Sequence, residues 1–151
     1  MPRVESSVVV NAPRERVIAV ARDIENYPSY MADVASITVR EKSDDGGRVV
    51  SDWVGIVPKF GNKISWQEED LWDVEAGTSH FRQITGDYDE FSGVWRFTSE
   101  SPSTTRFDSV LDYRLEIPLV GGLIKAIIQK TMQNNLDATL RAIKERAEAQ
   151  R

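Results

Sequence analysis

The sequence predicts an α+β domain in which an antiparallel sheet of consecutive strands curls around one long C-terminal helix, with two short helices after the first strand. Three observations predict it. The last stretch carries apolar residues at helical spacing, the middle of the chain alternates at strand spacing, and the breaks between alternating runs are short and rich in glycine, proline, aspartate and serine.

The first strand is read from Val4, Ser6, Val8 and Val10 alternating with Glu5, Ser7 and Val9, and it ends at Asn11-Ala12-Pro13. Asn11 is positioned to cap a helix whose first turn holds Pro13, Arg14 and Glu15, because the first amides of a helix need outside acceptors. Val17, Ile18, Val20, Ala21 and Ile24 give that helix an apolar face. The segment Glu25-Asn26-Tyr27-Pro28 breaks it, since a residue before proline is pushed out of the α region, and Ser29 to about Ala32 forms a further short turn.

From Val34 the pattern becomes β. An alternation through Ile37, Val39 and Glu41 reaches the turn Asp44-Asp45-Gly46-Gly47 and resumes from Val49 to Val57, which predicts a hairpin. Pro58 and Gly61 mark the next turn. Ile64, Trp66, Glu68, Asp70 and Trp72 then share one face of a strand that ends at Glu75-Ala76-Gly77. Thr78 to Thr85, Phe91 to Ser99 and Thr105 to Ile117 complete about six consecutive strands. Short connections make such a run an antiparallel meander with one covered face.

The cover is the terminal helix, Gly121 to about Glu148. Leu123, Ile124, Ile127, Ile128, Met132, Leu136, Leu140, Ile143 and Ala147 follow steps of three and four and form one stripe, while Gln129, Gln133, Asp137, Arg141, Lys144 and Glu148 fall on the other side. A helix of roughly seven turns is about 40 Å long and needs a broad apolar surface to pack on. The strands carry Trp53, Trp66, Trp72, Phe81, Phe91, Trp95, Phe97, Phe107 and Tyr113, too many large rings for a thin layer between helix and sheet. A twisted sheet around one helix leaves a gap where the two diverge, and rings around a gap make an apolar pocket.

Bulk properties narrow the function classes. A chain of 151 residues is expected to form one domain over 1–151. With no apolar run of membrane-spanning length and no apolar leader after Met1, the expected location is the cytoplasm, with no integral membrane segment. The absence of cysteine excludes disulfides, thiolate metal sites and a cysteine nucleophile. A single histidine, His80, cannot build a histidine-based metal cluster within one chain, and the net charge of −5 disfavours nucleic acid. No metal and no cofactor are therefore expected.

The segment from Asn11-Ala12-Pro13-Arg14-Glu15-Arg16-Val17 to Asp23-Ile24-Glu25-Asn26-Tyr27-Pro28, taken with the element order, resembles the START-like superfamily, also called SRPBCC, with its helix-grip fold. A second stretch, Gly86-Asp87-Tyr88-Asp89-Glu90-Phe91-Ser92-Gly93-Val94-Trp95-Arg96-Phe97, is similar to the segment joining two strands in the polyketide cyclase/dehydrase and coenzyme-Q-binding branch. The resemblance covers nearly the whole chain. It implies a seven-stranded sheet wrapped on the C-terminal helix, a tunnel for a hydrophobic ligand between them, and a roof made by the small helices and nearby loops. It also implies three kinds of function on one scaffold: a carrier of a small hydrophobic or lipid-like molecule, a cyclase or dehydratase acting on a polyketide-type chain, and a protein-interaction module.

Candidate residues follow from both sources. Trp53, Trp66, Phe81, Phe91, Trp95, Tyr113, Ile128, Met132 and Asn135 are the expected ligand-binding set. Polyketide-cyclising relatives are described as using an arginine and a tyrosine to polarise a carbonyl, so Arg82, Arg96 and Tyr113 are the positions to watch for catalysis, although outward arginines on a wet sheet face are commoner. The Thr78–Thr85 strand alternates Ser79/Phe81/Gln83 against His80/Arg82/Ile84, and pattern alone leaves open which set faces inward. His80 reads as solvent-facing or structurally bonded rather than as a general acid or base. Thr131 and Thr139 can bond a preceding helical carbonyl, whereas Asn135 needs an outside partner, either a ligand group or water in the pocket or a side chain of a neighbouring strand. The acidic groups Glu68-Glu69-Asp70 and Asp87-Asp89-Glu90 match no cation-loop spacing and read as solvated surface. Ligand access would require the roof at Tyr27-Pro28-Ser29-Tyr30-Met31 or the Val57 to Gly61 loop to move.

Overall fold

A computed structural model describes residues 2–56, 63–115 and 122–150. In chain order the elements are β1 (Arg3–Val10), α1 (Arg14–Arg22), a 3-10 helix (Ile24–Ser29), β2 (Val34–Lys42), β3 (Arg48–Ile56), β4 (Lys63–Asp73), β5 (Thr78–Gly86), β6 (Glu90–Ser101), β7 (Thr104–Arg114) and α2 (Gly122–Ala149). The seven strands form one antiparallel sheet in the order β1-β7-β6-β5-β4-β3-β2. β2 to β7 are thus a meander, and β1 joins beyond β7, so the first and last strands lie side by side. This is the helix-grip arrangement. The loop at Val57 to Gly61 and the segment from Glu116 to Gly121, where the sequence continues the last strand and enters the helix, lie outside the described residues.

The apolar stripe of α2 has two fates. Towards its C-terminal end Leu140, Ile143 and Ala147 have no exposed surface and join one core with Val10, Val17, Ala21, Phe97 and Phe107. Towards the other end Ile128 and Met132 are only half-buried, because the sheet curves away from them. The rings of Phe97 and Phe107 stack at 4.4 Å beneath the closed end, with Trp95 edge-on to Phe107 at 5.1 Å.

The polar side of α2 does more than face water. Gln133 Nε2 donates to the Glu5 carbonyl at 2.7 Å and Lys144 Nζ to the Val9 carbonyl at 2.8 Å. Asp137 accepts from Ser6 Oγ at 2.7 Å, and Glu148 accepts from the Asn11 amide at 2.8 Å. An edge strand otherwise presents a row of unpaired backbone groups. Here the helix side chains occupy that row on β1.

Two local expectations are corrected. Asn11 does not cap α1: the N-cap position is Pro13, without a side-chain cap bond, and the Pro13 carbonyl accepts from the amides of Arg16 and Val17. Asn11 is held instead through its own amide by Glu148. The α geometry ends earlier than the proline, at Arg22; the chain continues as a 3-10 helix over Ile24–Ser29 with Pro28 inside it, and turns once more before β2, where the Val34 amide donates to the Met31 carbonyl at 3.3 Å. A buried tyrosine holds that segment down: Tyr27 is 1% exposed and its hydroxyl donates to the Ala21 carbonyl.

Leu140→Ala should lower unfolding stability by about 2–5 kcal/mol, because a fully buried leucine leaves a cavity that the rigid sheet cannot fill. Urea denaturation of the variant checks it, and a loss under about 1 kcal/mol would mean that the helix is not seated as described.

Candidate functional site

Where α2 and the sheet part, they enclose a cavity of about 400 Å³. Its strand wall comes from Trp53 on β3, Trp66 on β4, Phe81 on β5, and Phe91 and Trp95 on β6. The helix wall is Ile128, Thr131, Met132, Asn135, Leu136 and Thr139, and Ile24, Tyr27 and Met31 form the roof. Strand register assembles the rings. Trp53 is directly opposite Trp66, and their indoles stack at 5.7 Å. Phe91 meets Trp66 at 5.4 Å, Phe81 at 5.8 Å and Tyr88 at 4.7 Å. Gly93 lies opposite Phe81, and a side chain there would overlap both the Phe81 ring and the Val110 carbonyl. Only glycine lets that ring lie flat across β6.

β4 brings charge into this apolar wall. Ile64, Trp66, Glu68, Asp70 and Trp72 all line the cavity, as their alternation places them on one face. Glu68 is 6% and Asp70 5% exposed. The Trp66 indole N–H donates to Glu68 Oε1 at 3.0 Å. Asp70 Oδ1 is buried and has no hydrogen-bond partner among the described residues. Burial pushes the Glu68 carboxyl well above its usual range; the charge of Asp70 and a hydrogen bond between the two carboxyls push it further, against the opposing pull of Trp66. Burial also raises Asp70, opposed by its bond to Glu68 and reinforced by the charge of Glu69. The two carboxyls therefore titrate as a pair, with burial pushing both towards their protonated forms and Glu68 the more strongly.

Glu69 points the other way. On the outer face it accepts from Arg48 Nε at 2.7 Å and Arg82 Nε at 3.0 Å, and the Arg48 bond leads in holding its carboxyl below the usual range. The expectation that Glu68-Glu69-Asp70 is solvated surface is thus corrected: Glu68 and Asp70 line the cavity, and Glu69, on the opposite face, is 8% exposed beneath Arg48 and Arg82. Asp87 also borders the cavity and accepts the Ser65 amide at 2.8 Å.

The other sequence candidates divide by strand face. Trp53, Trp66, Phe81, Phe91, Trp95, Ile128, Met132 and Asn135 line the cavity; Tyr113 does not, being buried in the core at 3% exposure. Arg82 faces outward to Glu69, and Arg96 is exposed on the outer face of β6. The arginine–tyrosine arrangement expected for catalysis is therefore not assembled: Ser79 and Phe81 take the inward positions of β5, leaving His80 and Arg82 outside. Thr139 Oγ1 bonds the Asn135 carbonyl at 2.9 Å, satisfying itself within the helix. Tyr88 was not singled out from sequence; it sits 7% exposed with its hydroxyl 3.7 Å from Met132 Sδ, and burial raises its phenol. Among the described residues no group of His, Asp and Glu is arranged to hold a metal ion, and no helix is long and apolar enough to cross a membrane.

Residues 10–140 match the family model described as polyketide cyclase / dehydrase and lipid transport. The chain belongs to that family. Among solved structures it is similar to a Thermus thermophilus protein at 36% identity and TM-score 0.90, with 98% of each chain covered. It shares its fold with the Zhui aromatase/cyclase of a Streptomyces species (21% identity, TM-score 0.87, covering 97% of this chain and 93% of that one). The same holds for a START superfamily protein of Mycobacterium smegmatis (17% identity, TM-score 0.81, 97% of each chain). No curated protein matches the chain. Membership of this family points to a fold that binds hydrophobic ligands.

Glu68→Gln should stabilise the protein in a pH-dependent way. Between the ordinary glutamate value and the raised value of Glu68, the folded state binds a proton that the unfolded chain has lost, so stability falls as pH rises through that window. The amide keeps a donor towards Asp70 and removes the titration. Melting temperatures should diverge in favour of the variant at alkaline pH and converge below about pH 4; parallel curves across that range would show that Glu68 is not buried as described.

Proposed function

We propose that this domain binds and carries a small, ring-bearing apolar molecule in the cavity between α2 and the sheet. One observation carries the reading: a cavity of about 400 Å³ walled by six strand aromatics and the half-buried face of a helix. Ligand pockets are mostly apolar with a few polar groups that fix orientation, and this one has Glu68, Asp70 and Asn135 in that role. Burying roughly 300 Å² of ligand surface would contribute about 7 kcal/mol before the entropy lost on association is subtracted. The family description, which includes lipid transport, supports the same reading.

A second reading, an enzyme acting on a poly-carbonyl chain, is favoured by one observation. Two buried carboxyls share one wall of an apolar cavity, and such a pair can supply the acid and base that dehydration needs. It would run through Glu68 and Asp70, since Arg82 and Arg96 face away. The two readings separate on Asp70→Asn: an enzyme would lose turnover with little change in ligand affinity.

Native mass spectrometry of freshly purified protein should reveal a co-purifying apolar molecule, and a panel of ring-bearing compounds should raise the melting temperature. Met132→Trp, which places an indole into the cavity from the helix wall, should weaken binding about tenfold or more. Arg82→Ala should leave it within about twofold, because that guanidinium is outside. A consistently unliganded mass with no thermal shift for any compound would count against the carrier reading.

A further inference from the structure

The charges around the cavity do not balance. Its described lining carries Asp33, Glu68, Asp70 and Asp87 against Lys63, and Lys63 is exposed at the mouth. Deeper in, the carboxyl pair has no cation. Arg22 borders a separate polar recess that also touches Asp70 and Trp72, together with Asp23, Glu25 and Lys42. Its guanidinium is committed there, donating to the Gly46 carbonyl at 2.7 Å and lying 5.6 Å from the centre of the Trp72 ring. Glu69, on the same strand, is drawn outward to Arg48 and Arg82. Tyr27, packed over the pair from the roof, spends its hydroxyl on the Ala21 carbonyl.

What remains is an unpaired acceptor, Asp70 Oδ1, in a residue 5% exposed on the cavity wall. A buried carboxylate oxygen without a donor is costly, and protein interiors rarely leave one unanswered. A second polar atom in the same wall, Trp95 Nε1, is also buried without a partner. The same cavity is lined by the rings of Trp53, Trp66 and Phe81. Aromatic faces attract cations, and the attraction strengthens where water is excluded.

We infer that the cavity selects a hydrophobic amine, an organic cation with at least one N–H, which donates to Asp70 Oδ1 while its apolar rings lie among the tryptophans. This rests on the binding reading above and narrows its ligand class. An anionic ligand would bring further acceptors to a lining already rich in carboxyls, and a ligand without an N–H or O–H would leave Asp70 Oδ1 without a donor. The amine supplies both the missing donor and the missing positive charge.

Isothermal titration of the full chain with four probes of one shape tests this: naphthylethylamine, naphthylethanol, ethylnaphthalene and naphthylacetate at neutral pH. The amine should bind about tenfold or more tightly than the alcohol, and the acetate most weakly. Asp70→Asn should remove the preference by weakening the amine while the alcohol stays within about twofold. Its melting temperature should hold or rise, since it removes a buried charge. A trimethylammonium analogue, which keeps the charge but has no N–H, should fall between amine and alcohol. If alcohol and ethylnaphthalene bind as well as the amine, or if Asp70→Asn keeps the amine preference, the inference is wrong and the carrier reading stands. If none of the four binds, both fall.

Discussion

The structure depends on how α2 is seated. At its C-terminal end three side chains, Leu140, Ile143 and Ala147, are completely removed from water, and on the flank four polar side chains reach β1 and Asn11. That end is fixed by packing and hydrogen bonds together. A straight helix cannot follow a twisted sheet along its whole length, so tight seating at one end forces separation at the other. The cavity is the geometric remainder of that mismatch, and the half-buried Ile128 and Met132 are where the helix loses contact with the sheet.

Strand register decides what fills the remainder. Because side chains alternate, β4 delivers Trp66, Glu68, Asp70 and Trp72 to one surface and Glu69 to the other. Two acids separated by one residue are thereby forced together in an apolar wall, while the acid between them meets Arg48 and Arg82 outside. The inner pair works against stability, whereas Glu69, buried beneath the two exposed arginines, has its charge paired twice over. A buried arrangement that opposes folding is commonly found where function requires it.

Much of this was legible in the residues. The period of α2, the alternation of the strands and the turn at Asp44-Asp45-Gly46-Gly47 all reflect local rules, and the observed elements follow them. Trp53, Trp66, Phe81, Phe91 and Trp95 were recognisable as wall residues because they outnumber what a thin core can hold. Three things were not legible. The inward face of β5 depends on pairing with β6, where Gly93 makes room for Phe81, and no pattern within β5 encodes that. The alternation of β4 places Glu68 and Asp70 on the cavity face, but their charge points to solvent, and nothing within the strand shows that the tertiary packing buries them. The role of Asn11 turned on Glu148, 137 residues away, and such a contact leaves no local trace.

The pairing of the two chain ends has a consequence for biosynthesis. β1 is translated first, but its neighbours, β7 on one side and α2 on the other, are translated last. Until those segments leave the ribosome, Val4, Val8 and Val10 have no native surface to cover them. The domain therefore closes only once α2 is available, through contacts of high sequence separation that form slowly. A nascent chain stalled before α2 would be a ready client for chaperones that hold exposed valine-rich strands.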